Sequence, residues 1–94
     1  MAILSFADKD AEKIFNREFS RRLPPDIQGT SLRKLIYMDQ AQTLNDLRVP
    51  PSNHLEALQG DRQGQYSIRI NDKYRICFTL GETGFNDVEI VDYH

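Results

Sequence analysis

The chain of 94 residues ends in Asp92-Tyr93-His94, a carboxylate, a phenol and an imidazole in succession. Such groups can move protons. An RNA 2′-hydroxyl attacking its own 3′-phosphate needs a base, an acid for the departing 5′-oxygen and cations to stabilise the charge that builds on phosphorus. Arg69 and Arg75 are the cations nearest in type and pattern to that task. Taken on its own, however, a terminal Asp-Tyr-His reads as a frayed polar end, and that reading outweighs the catalytic one. His54, in a loop after Pro50-Pro51, reads as a solvated histidine. Other chemistry finds no support: there is no glycine-rich phosphate loop, no set of metal ligands and no serine or cysteine nucleophile motif.

The arginine pair follows from strand register. Tyr66, Ile68 and Ile70 alternate with Gln65, Ser67 and Arg69, and Tyr74, Ile76, Phe78 and Leu80 alternate with Lys73, Arg75, Cys77 and Thr79. A two-residue turn would set Ile68 opposite Arg75. A three-residue loop, Asn71 to Lys73, sets Ile70 against Tyr74 and Ile68 against Ile76, which places both apolar sets on one face. Arg69 and Arg75 then oppose each other on the polar face, with Ser67 and Cys77 beside them. Like charges directly opposite are unfavourable by up to about 1 kcal/mol unless an anion lies between them. A phosphate could fill that role, and so could Glu89 or Asp92 of the last strand.

The elements that would carry these residues are few. A chain this short encloses one core, so residues 1–94 are expected to be one domain. Residues 2–7 read as a strand. Asp8 is a good N-cap, and Ala11, Ile14, Phe15 and Phe19 recur at helical spacing, predicting a helix over roughly 9–21. Its other side carries Lys13, Arg17 and Arg21, with Arg22 adjacent, a basic stripe that is by default a solvated face. A second helix follows Pro24-Pro25 with Ile27, Leu32, Leu35 and Ile36 on one side, and Leu44 and Leu47 extend the spacing. The two helices are expected to pair as a hairpin. Beyond Pro50-Pro51 the period becomes two, Gly81-Glu82-Thr83-Gly84 is a turn, and Phe85 to His94 returns as a strand.

Charge and cysteine content narrow the function classes. Twelve Lys and Arg against fourteen Asp and Glu leave −2, with four basic and seven acidic side chains in residues 51–94. A protein that grips free RNA usually carries a positive excess, so binding to naked RNA should be weak. One cysteine, Cys77, excludes an internal disulfide. The apolar run before Asp8 is too short for a signal peptide or a membrane span, and the expected compartment is the cytoplasm.

Three motifs in order carry a family resemblance: Arg48-Val49-Pro50-Pro51 with Leu55-Glu56-Ala57-Leu58-Gln59-Gly60-Asp61-Arg62; Gln65 through Ile76; and the closing Val88-Glu89-Ile90-Val91-Asp92-Tyr93-His94. This half of the chain resembles the HigB toxins of the RelE/ParE superfamily. The resemblance implies an α+β, RelE-like fold with an N-terminal strand, a two-helix hairpin and a mainly antiparallel sheet of three or four strands. It implies metal-independent, cofactor-free cleavage of messenger RNA in the ribosomal A site. It further implies neutralisation by a HigA-like helix-turn-helix antitoxin, through which alone the complex would meet operator DNA. The catalytic positions carried over are Arg75, Asp92, Tyr93 and His94, and the expected RNA contacts are Arg62, Arg69, Lys73, His54 and Gln59. Gln59 stands where some members have lysine, and His54 is displaced by two residues from a histidine that some members use. A ParE-like inhibitor of DNA gyrase is the rival of the same fold, against which the terminal Asp-Tyr-His argues. A purely structural protein with internally paired arginines is the third reading.

Overall fold

The computed structural model describes residues 1–93. Its elements are β1 (Ala2–Ile3), α1 (Lys9–Phe15), α2 (Pro25–Gln40), β2 (Glu56–Ala57), β3 (Gln65–Arg69), β4 (Tyr74–Leu80) and β5 (Gly84–Asp92). The strands form one sheet in the order β1-β5-β4-β3-β2. Among the described residues β1 and β5 pair in parallel, as does the bridge Phe6–Val88, and β2, β3, β4 and β5 are joined antiparallel. Among the described residues the fold is α+β as expected, an N-terminal strand and two helices followed by the four antiparallel strands β2–β5. The fourth of these, β2, is two residues long, too short to display a period in the sequence.

The register of the central hairpin is the one derived from alternation. Ile68 pairs with Ile76, Ser67 with Cys77 and Arg69 with Arg75, and the Ile70 amide donates to the Tyr74 carbonyl at 2.9 Å. One face of the sheet therefore presents Ile68, Ile76, Phe78 and Ile90 to the helices. With Ala11, Ile14, Leu35, Met38 and Leu47 they form the core, each no more than 2% exposed. Phe78 and Phe85 meet edge to face at 4.9 Å between centroids, an arrangement favoured by the ring quadrupoles.

The first helix departs from expectation. It ends at Phe15, not near residue 21, and Arg17 adopts a left-handed conformation (φ 65°). The Glu18 amide donates to the Lys13 carbonyl and the Arg17 amide to the Ile14 carbonyl, the paired bonds of a Schellman cap. Glycine is the usual residue there, so the stop carries no sequence mark. The following segment folds back over the start of α1: Arg22 bonds Asp10 at 2.7 Å and Asp8 at 2.8 Å, and Ser20 Oγ donates to Asp10 at 2.8 Å. These carboxylates compensate the nearby cation, and Asp10 is held below the usual carboxylate range by its bonds from Arg22 and then Ser20. The basic stripe of Lys13, Arg17, Arg21 and Arg22 consequently does not exist as a single helix face. Phe19, expected in the apolar set, is 64% exposed.

The second helix begins at Pro25, the second residue of the Pro24-Pro25 pair it was expected to follow. It buries Ile27, Ser31, Leu35 and Met38, an i, i+4, i+8, i+11 stripe. Leu44 and Leu47 belong instead to a separate 3₁₀ turn, Leu44–Arg48, closed by a reciprocal cap between Thr43 and Asp46. At the β1–β5 crossing, a Cβ on Gly84 would stand 2.2 Å from the Ala2 carbonyl oxygen, so only glycine fits. Among the described residues no helix is long and apolar enough to cross a membrane.

Candidate active site

Alternation sends Ser67, Arg69, Arg75 and Glu56 to the face of the sheet away from the helices. There a cleft of about 300 Å³ is lined by His54, Glu56, Arg69, Asn71, Asp72, Arg75 and Tyr93. Arg75 lies at its heart. Its Nε donates to Ser67 Oγ at 2.8 Å and its Nη2 to the His54 carbonyl at 2.7 Å, while Nη1 stands 3.6 Å from Glu56 Oε1. The guanidinium carbon lies 5.7 Å from the centre of the Tyr93 ring, within cation–π range. The Arg75 side chain is 13% exposed. Ser67 is fully buried beneath it, so the guanidinium is fixed from several directions.

Each of those anchors has a local cause. The His54 carbonyl is turned toward Arg75 by a left-handed backbone (φ 45°) that follows the Pro51–Asn53 turn. Asn53, 1% exposed, ties that turn down: its amide donates to the Leu47 and Val49 carbonyls, and Lys34 Nζ donates to its Oδ1. Burial lowers the Lys34 ammonium from its usual range, with Arg33 adding repulsion. Tyr93 is held by its own amide, which donates to the Lys73 carbonyl at 2.6 Å.

The arginine pair is compensated, though by different groups from those first considered. Arg69 bonds Asp72 of the hairpin loop, and Arg75 faces Glu56 of β2. Glu89 is engaged by Arg62 at 2.8 Å, and Asp92 lies 3.6 Å from Lys73. Arg62, whose guanidinium is held further in its charged form chiefly by that Glu89 bond, stands one row from Arg75, since Glu89 is opposite Cys77. Cys77 is fully buried, and its thiol is pushed up by that burial.

Of the residues expected at the site, the cleft thus gathers Arg75, Tyr93, Arg69 and His54. Asp92 pairs with Tyr74, on the opposite face from Tyr93. Lys73 lies against the Tyr74 ring and Asp92, outside the cleft lining. Gln59 caps the Gly60–Arg62 turn without joining the lining. His94 lies outside the described residues. Glu56, Asn71 and Asp72 were missed. The hairpin loop already offered Asn71 and Asp72 by position, whereas Glu56 reaches the site only through the two-residue strand β2.

Residues 4–94 match the family described as the RelE-like toxin HigB of type II toxin–antitoxin systems. The chain belongs to this family. Toxin HigB-1 of Vibrio cholerae is 42% identical over 76 residues, 80% of either chain. An uncharacterised protein of Haemophilus influenzae is 34% identical over 71% of this chain and 66% of its own. Among solved structures, YafQ from E. coli superposes with a TM-score of 0.58 at 13% identity, covering 96% of this chain and 90% of that one. A YoeB/ParE toxin from Agrobacterium tumefaciens superposes at 0.56 and 18% identity over the full length of both. At such identities these two structures speak for the RelE-like fold alone. Membership makes the chain a toxin of a type II system, which implies an antitoxin partner, and RelE-family toxins are generally endoribonucleases.

Proposed function

We propose that this HigB-family chain is a ribosome-dependent endoribonuclease that cuts messenger RNA presented in the ribosomal A site and is silenced by a HigA-like antitoxin. The observation that carries this reading is the clamped guanidinium of Arg75 at the floor of an open polar cleft beside Tyr93. A cation fixed before substrate arrives stabilises charge developing on phosphorus without reorganising during the reaction. In this reading Arg75 receives the scissile phosphate, Arg69 is the second phosphate contact, and Tyr93 and His94 position and transfer protons. Asp92, on the other side of the strand, acts through the conformation of the C-terminal segment. The antitoxin is the neighbouring helix-turn-helix protein, and operator DNA is met only through it. The work is done in the cytoplasm, where the ribosomes are.

The test is a translation reaction with purified protein in which messenger RNA ends are mapped, run beside the same RNA without ribosomes and beside a gyrase supercoiling assay. New ends within translated sequence, only when ribosomes are present, are expected. Inhibited supercoiling with intact messenger RNA would replace this reading by the ParE-like one.

A further inference from the structure

Residues 51–94 contain four cations, Arg62, Arg69, Lys73 and Arg75, and every one of them has a carboxylate partner: Glu89, Asp72, Asp92 and Glu56 respectively. The cleft itself holds two guanidiniums and two carboxylates. A surface built to attract RNA would leave its cations uncompensated. The carboxylates are also unequally placed. Asp72 is 96% exposed and Glu56 53%, whereas Arg75 is 13% and Arg69 35% exposed. Arg75 is anchored by Ser67 and the His54 carbonyl, and in both pairs the carboxylate is the more exposed member.

We infer that Glu56 and Asp72 are specificity-determining residues, internal phosphate substitutes that occupy Arg75 and Arg69 and make the cleft refuse RNA that is not delivered to it. The inference rests on the proposed function for its substrate, RNA phosphate. Its physics is ion exchange. When a phosphate binds a free arginine, condensed counter-ions leave the RNA, and affinity falls with salt by a logarithmic slope of about 0.7 per phosphate on a single strand. When the arginine is already paired, the phosphate displaces a carboxylate that must gather a cation from solution, and the gain is cancelled. With the carboxylate of each pair open to water, such pairs are each worth about 1 kcal/mol or less. A substrate positioned by other contacts therefore opens them readily, while freely diffusing RNA gains almost nothing by doing so.

The experiment measures binding of a short single-stranded RNA, made uncleavable by 2′-deoxy substitution, to the wild-type chain, Glu56→Gln, Asp72→Asn and the double variant across a range of salt. For the double variant the salt slope should steepen by about 1.4 and affinity at low salt should rise roughly tenfold. Each single variant should give part of that change. Glu18→Gln with Glu82→Gln removes the same charge from exposed sites outside the cleft lining and should change the slope little. Adding Arg75→Ala to the double variant should remove about half of the gain, the share that belongs to that arginine. Equal slopes in wild type and double variant, or an equal gain from the Glu18/Glu82 control, overturn the inference. Because the RNA is uncleavable and no ribosome is present, this result stands whether or not translation reactions yield cut messenger RNA. Absence of cut ends with a steepened slope would remove the proposed function and leave the phosphate-substitute role in place.

Discussion

The two faces of the sheet are written by one alternation and put to opposite uses. Toward the helices, Ile68, Ile76 and Phe78 lie within a contiguous apolar core. Toward solvent, the intervening residues hold arginines over a buried serine and a buried thiol, each cation met by a carboxylate. The first face supplies stability through area removed from water. The second supplies a prearranged charge pattern whose pairs contribute little to folding. Stability and activity should therefore be separable by face.

The largest effect should come from the covered face. Phe78→Ala removes a fully buried ring packed against Phe85 and Tyr66 and should cost about 3–5 kcal/mol. That is a large part of the roughly 5–15 kcal/mol available to a domain. Thermal melting should fall by more than about 10 °C, and a drop of a degree or two would break the comparison.

A smaller effect is expected at the fold-back over α1. The carboxyl of Asp10 titrates lower in the folded chain than in the unfolded one, through Arg22 and Ser20. Its contribution is thus present above the ordinary carboxylate range and disappears as pH falls through the folded value. Asp10→Asn should lower stability at neutral pH by about 1 kcal/mol or less, and its deficit against wild type should close on acidification. A deficit that widens in acid would contradict this assignment.

His54 sharpens the comparison on the open side with the smallest stability change. Its carbonyl, not its ring, bonds Arg75, from a left-handed backbone. Glycine accepts that conformation at no steric cost. His54→Gly should hold its melting temperature at or slightly above that of His54→Ala, and it should lose less messenger RNA cleavage than Arg75→Ala. A loss as complete as that of Arg75→Ala would place the imidazole itself in the reaction.

What the sequence made legible followed period and cap. The hairpin register, the Arg69–Arg75 opposition, the Asp8 cap and the start of α2 all rest on alternation or on a residue type with one local role. The end of α1 was hidden because Arg17 takes a position that glycine usually marks. The fold-back that exposes Phe19 depends on Arg22 meeting Asp8 and Asp10, contacts with no periodic trace. At the site, Arg75 was within reach of sequence reading because strand geometry and family resemblance both point to it, and Tyr93 through the resemblance alone. Glu56 was not, since a two-residue strand acquires its facing only by pairing with Ser67. The separation of Asp92 from Tyr93 onto opposite faces follows from alternation once the register of β5 is known. The register shift between Cys77 and Thr79, with Asp87 at positive φ, kept that register out of reach of pattern alone.

The most direct test compares Arg75→Ala with wild type on the same purified preparations, reading messenger RNA cleavage in a translation reaction and thermal melting together. Loss of a transition-state cation should reduce cleavage by on the order of 10²-fold or more, while melting moves by only a few degrees, because the side chain belongs to the open face. Full cleavage by Arg75→Ala, whatever its melting temperature, would contradict the assignment of the cleft as the active site.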